Sequence, residues 1–147
     1  MRLRKNAGTL LGAAARLRAD GVTIRLVIAG GKKPEPFVRL AERLKLGRSV
    51  SFIGSVDPLP CFAAADAFIH PTWYDPCSLV TLEAAACGLP VITTRYNGAS
   101  ELMTEGADGF ILEQPDDATS LAARMRQLLH PELRRTMGAA GRAVAGT

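Results

Sequence analysis

Asp75, Ser78 and Glu83 lie within one stretch, YDPCSLVTLEAAACGLPVITT, residues 74–94. An acidic loop leads through Ser78 into an apolar run that carries a single carboxylate, Glu83, and breaks at Gly88. A helix starting near Ser78 aims its free backbone N–H groups, those of Leu79 and Val80 included, at the loop mouth, where they can hold phosphate. Glu83 lies about one turn further along. Its ionised carboxylate offers acceptor oxygens that match the hydroxyl donors of a ribose. Together, phosphate at the helix end and ribose on Glu83 would hold a nucleoside diphosphate. Asp75, eight positions before Glu83, would stand where a sugar beyond the diphosphate lies. The same residues also fit a structural role, with Asp75-Pro76 capping the helix and Glu83 steadying its first turns through the macrodipole. Spacing alone is compatible with both.

These residues need a scaffold, and the rest of the chain supplies its pattern. Residues 23–29, TIRLVIA, read as a buried strand ending in Gly30-Gly31. Helical spacing follows over 36–46, then a strand over 49–54 and a short helix over 59–65. Residues 67–70 read as a strand and 71–77 as a loop. After the helix over 78–87 come a strand over 90–94, a short helix over 99–103 and a strand over 108–112. Two helices, 118–129 and 131–144, complete the pattern, the second opening with Pro near its first turn. Strands alternating with helices at this pace imply an α/β fold, a Rossmann-like doubly wound parallel sheet with helices on both faces. Its ligands would sit beyond the carboxyl ends of the strands, at Gly30-Gly31, Gly54-Ser55, 71–77 and 95–98.

With 147 residues, 48% hydrophobic and 22% charged, the chain suits one globular domain. No apolar run approaches the ~20 residues that span a bilayer, and MRLRKN leads into no signal-peptide core, so a cytoplasmic location is expected. Cys61, Cys77 and Cys87 have no metal-ligand spacing and read as reduced thiols, Cys77 and Cys87 as small packing residues. No metal or cofactor is expected. A net charge of +4 suits anionic ligands, whereas the few aromatics show no stacking pattern for nucleic acid. Arg124, Arg126, Arg134 and Arg135 fit a solvated helix face first and an anionic membrane surface second. His70, after an apolar strand, reads as a packed, hydrogen-bonded histidine before a catalyst, and Glu101 as a brace for its loop.

The fragments RLVIAGG, VSFIGSV, ADAFIHPTWYDPCSLVTLEAAACGLPVITT, NGASEL, DGFILEQPDD and MGAAGR occur in that order. The series resembles the retaining glycosyltransferases of family 4, which have the GT-B fold and an E-x7-E signature. Asp75 takes the first Glu position, Glu83 the second, and Gly88-Leu89-Pro90-Val91 follows. The resemblance implies that Glu83 binds the ribose hydroxyls, that Ser78 and the Leu79 and Val80 amides meet the diphosphate, and that Phe52-Ile53-Gly54 approach the base through their backbone. Gly30 and Gly31 would leave room beside the nucleotide. Lys5 matches a phosphate-binding lysine that would act with Asp75 in catalysis, although Asn6 replaces the Gly of that motif; a solvated chain end is the other role for Lys5. Asp75 is one methylene shorter than the usual Glu.

By the same resemblance, residues 1–147 correspond to the nucleotide-sugar-binding C-terminal domain, cut at both ends and lacking the N-terminal acceptor domain. The parent enzyme would move a sugar, UDP-linked, to an acceptor hydroxyl with retained configuration. The leaving diphosphate would be stabilised by helix amides and cations rather than by a required metal. Cell-surface glycan or lipopolysaccharide synthesis and peripheral contact with the inner membrane face would follow, and the isolated piece is expected to be inactive. Two other readings stay open: a non-catalytic nucleotide-binding module, and half of a GT-B sugar-nucleotide epimerase. The helix motif with Glu83 favours the transferase.

Overall fold

The structure, a computed structural model, describes residues 6–31 and 34–146. Its helices are α1 Ala7–Ala19, α2 Glu35–Arg43, α3 Pro58–Ala64, α4 Leu79–Ala86, α5 Ala118–Gln127 and α6 Pro131–Ala145. Its strands are β1 Leu26–Ala29, β2 Val50–Gly54, β3 Phe68–His70, β4 Val91–Thr94 and β5 Gly109–Leu112. All pairings are parallel, in two ladders, β1-β2 and β3-β4-β5. In the doubly wound order 3-2-1-4-5-6 these match the two flanks of the central position. Among the described residues, no strand joins β1 to β3.

Alternation along the strands sends side chains to two apolar clusters. In β3, Ile69 packs against the larger one, built from Leu11, Leu17, Ile92, Leu121 and their neighbours, while Phe68 packs against a smaller one of Phe62, Ala84 and Leu89. Helices α1 and α5 thus cover one face, and α3 and α4 the other. No helix among the described residues is long and apolar enough to cross a membrane.

The sequence pattern above starts at residue 23 and omits α1, one of the most deeply buried elements. Leu11, Ala13, Ala14 and Leu17 are all fully buried there. Its Ala- and Leu-rich sequence is strongly helical by propensity. The strand expected over 23–29 shortens to Leu26–Ala29, because its partner β2 begins only at Val50, after a short 3-10 helix, Gly47–Ser49. The helix expected over 36–46 stops at Arg43. Lys45 takes a left-handed φ of 57° there, and the Leu46 and Lys45 amides bond back to the Ala41 and Glu42 carbonyls. That is a Schellman stop with Lys where Gly is usual, and it turns Leu46 into the core.

Candidate functional site

Helix α4 begins on Ser78, whose Oγ accepts the Thr81 amide at 3.3 Å and the Thr81 hydroxyl at 2.8 Å. The Leu82 amide reaches the Ser78 carbonyl. That leaves the Leu79 and Val80 amides without a hydrogen-bond partner among the described residues, and Leu79 is 68% exposed. The cap is a neutral hydroxyl, and the first turn holds no acidic residue. Asp75 therefore does not cap this helix, and Glu83, the fifth helical residue, lies beyond the first turn where the macrodipole acts. Glu83 is exposed and has no ion pair or side-chain hydrogen bond among the described residues. The capping account of these two carboxylates is set aside on that geometry.

The acidic loop is pinned by its backbone to the segment after β4. The Asp75 amide donates to the Tyr96 carbonyl at 3.1 Å, and the Gly98 amide donates to the Asp75 carbonyl at 2.7 Å. A Cβ on Gly98 would stand 1.7 Å from the Pro76 carbonyl oxygen, so the approach requires glycine. Next to it, Asn97 is fully buried and fully engaged. Its amide nitrogen donates to the Thr81 and Thr93 hydroxyls at 3.2 and 3.0 Å, and its Oδ1 accepts the Ala99 amide at 3.0 Å. The Thr93 and Thr94 hydroxyls donate to the His70 and Thr72 carbonyls at 2.8 and 2.6 Å. These threonines and Asn97 fix how α4, β3 and β4 meet, yet the sequence reading passed over them. Their signal was Thr-Thr at a strand end followed by Asn-Gly. Glu101 lies exposed in a 3-10 helix, Gly98–Leu102, whose start is capped by Asn97 rather than by Glu101.

The other expected donor contacts lie at the ends of β1 and β2. Gly30, Gly31 and Gly54 have φ of 84°, 83° and 71°, values that suit glycine, and the Gly30 amide donates to the Gly54 carbonyl at 2.6 Å. Phe52 packs against the core, while Ile53 points outward. Among the described residues no hydrogen bond or ion pair links this glycine turn to the acidic loop. Lys5 lies outside the described residues. Its neighbour Asn6 has φ 49°, a left-handed conformation that Asn tolerates better than most side-chain-bearing residues, and its side chain bonds the Pro115 carbonyl. That explains how Asn can stand where the motif has Gly.

Cys77 and Cys87 do not pack as expected. Both are exposed, one in the loop before the Ser78 cap and one at the end of α4. All four singled-out arginines have partners within the chain. Arg124 pairs with Glu105 and lies over the Phe110 ring, Arg126 pairs with Asp20, Arg135 pairs with Glu132, and Arg134 donates to the Leu128 carbonyl.

Residues 1–144 match the family described as glycosyl transferases group 1. The putative glycosyltransferase EpsD of Bacillus subtilis is 33% identical over 148 residues, which is 99% of this chain and 39% of that protein. The lipopolysaccharide glucosyltransferase WaaG of Escherichia coli is 33% identical over 105 residues, 71% of this chain and 28% of that one. The crystal structure of Anabaena Alr3699/HepE in complex with UDP and glucose superposes with a TM-score of 0.85 at 25% identity, covering 99% of this chain and 41% of that one. This chain thus spans about two fifths of the length of these relatives. By the extent of the family match, with the α/β fold that carries it, the chain belongs to the glycosyl transferases group 1.

Proposed function

We propose that this chain is the nucleotide-sugar-binding domain of a retaining glycosyltransferase, with UDP as the nucleotide. The diphosphate lies on the Leu79 and Val80 amides beside Ser78, and the ribose on Glu83. The transferred sugar lies towards Asp75, and Gly30-Gly31 with Phe52-Ile53-Gly54 form the wall for the rest of the nucleotide. The observation that carries this reading is an exposed, unpaired carboxylate on the same helix whose first two amides are left open by a neutral cap. Support for the ligand class comes from the relatives: one neighbour was crystallised with UDP and glucose, and one relative is named for lipopolysaccharide glucosyl transfer.

In this scheme the chain's own groups bind and orient the donor. Fixed amide dipoles receive the charge that develops on the leaving diphosphate, where they cost no reorganisation. Lys5, matched by the family motif, adds a cation there. The acceptor would be held by a part of the protein outside residues 1–147, since the relatives are about two and a half times as long. The lipopolysaccharide glucosyltransferase among the relatives supports a role in cell-surface glycan synthesis.

Titration of UDP against Glu83→Gln tests the reading. The substitution keeps shape and removes charge-assisted hydrogen bonds worth roughly 1.5–3 kcal/mol each. UDP affinity should fall about tenfold or more, with the melting temperature little changed. Equal affinity for the two proteins, or a variant that mainly unfolds, would sink the assignment of Glu83.

A further inference from the structure

We infer that His70 is a positioning residue for the sugar end of this site: it holds the Asp75 carboxylate in one orientation, and so sets how strongly a nucleotide sugar is preferred over the bare nucleotide. The inference rests on the donor-site reading above.

His70 ends β3 and is only 8% exposed. Its backbone is locked opposite Thr93 in β4, and its carbonyl accepts the Thr93 hydroxyl at 2.8 Å. Its ring sits 6.2 Å from that of Phe68, two residues back on the same face of the sheet. That is the face α4 covers, so the ring points towards the loop from which α4 starts. There, His70 Nε2 lies 3.3 Å from Asp75 Oδ2.

An ionised carboxylate only accepts hydrogen bonds, so the proton of this contact belongs on Nε2. At 3.3 Å the bond is longer than usual and serves orientation more than strength. Orientation matters here because the Asp75 backbone is fixed at both its amide and its carbonyl. What remains is rotation of a short side chain. Among the described residues His70 is the side chain that Asp75 meets. With the side chain of Asp75 30% exposed, the carboxylate keeps a side open to the loop mouth while one oxygen is held from beneath. A longer Glu at this position could reach a sugar through its own extra methylene. An Asp depends on being aimed.

Two measurements on the 147-residue chain separate this inference from the reading beneath it. Without ligand, ¹⁵N spectra should show the His70 ring protonated at Nε2, and Asp75→Asn should shift that resonance. With ligand, calorimetric affinities for UDP and UDP-glucose should differ in the wild type. His70→Phe, which keeps a ring against Phe68, should leave UDP affinity within about twofold and abolish most of the UDP-glucose preference, a change on the order of tenfold or less. His70→Gln, whose amide reaches about as far as Nε2, should restore the preference. If the Phe variant does not fold, His70→Asn, whose shorter amide falls short of Asp75, should show the same loss. Adding Asp75→Asn to the variant should cost nothing more, as expected for two groups acting as one unit. A preference unchanged in the Phe or Asn variant, or additive losses in the double variant, overturns the inference with the donor-site reading intact. Failure of the wild-type chain to bind UDP at all overturns the reading and the inference together.

Discussion

At its carboxyl end, helix α4 has every backbone carbonyl engaged. The Cys87, Leu89 and Gly88 amides return to Glu83, Ala84 and Ala85, and Arg142 of α6 donates to the Ala86 and Cys87 carbonyls at 3.2 and 3.1 Å. At its amino end, one side chain closes the Thr81 amide, while the two amides before it, those of Leu79 and Val80, stay open beside a loop held in place from β4. A helix end can be finished by the protein or left for something else. The carboxyl end is built for stability. The amino end, with Glu83 exposed and unpaired one turn above it among the described residues, leaves donors and an acceptor open to an anionic ligand.

This contrast breaks down if the carboxyl end also governs binding, and the sharpest test is where α6 crosses it. A Cβ at Gly138 would stand 2.0 Å from the Gly88 carbonyl oxygen, a backbone atom that cannot move aside cheaply. Gly138→Ala should therefore cost about 3 kcal/mol of stability, read by denaturant unfolding. Arg142→Met should cost less, about 1.5 kcal/mol, through loss of two charge-assisted bonds and of a cation at the helix carboxyl end. Neither variant should shift UDP affinity, per folded molecule, as far as Glu83→Gln does. If Arg142→Met weakened UDP binding tenfold with unchanged stability, the division between the two ends would be wrong.

Much of this arrangement was legible in the sequence, and the reasons differ by residue. Gly88 marks the end of α4 because glycine fits the left-handed stop, and Pro131 marks the start of α6. Lys45 makes the same kind of stop as Gly88 but with an ordinary surface residue, so α2 reads three residues too long at its carboxyl end. The carboxylates stood out because each is a charge in an apolar or loop setting. Whether Asp75 capped α4 could not be read, since Asp and Ser are equally good caps and both precede the helix. The network of Asn97 with Thr81 and Thr93 joins residues up to sixteen positions apart. No local pattern announces such a contact. Helix α1 is a different case: its propensity was plain, but its weight in the core comes from packing on α5, which appears only in three dimensions.

The start of α5 offers the comparison's mildest test, because it is a helix amino end closed by a charge. Asp117 accepts the Ser120 amide at 2.9 Å and the Ser120 hydroxyl at 2.6 Å. These bonds, the hydroxyl first, hold its carboxyl below the ordinary carboxylate range. A group with a lowered folded-state pKa adds stability above its unfolded pKa and loses it as pH falls through the folded value. Asp117→Ala should therefore cost about 0.5–1 kcal/mol near neutral pH, at the low end for a cap because the carboxylate is mostly in water. Wild type and variant should then converge in stability as the solution is acidified through the carboxylate range. Asp117→Asn, which keeps a capping oxygen, should retain most of the stability while losing its acid dependence. A cap of this kind puts a negative charge where an anion would have to bind, and Ser78 at α4 does not. UDP affinity should thus ignore both Asp117 variants. A change in UDP binding on neutralising Asp117 would mean that an amino end other than that of α4 holds the phosphate.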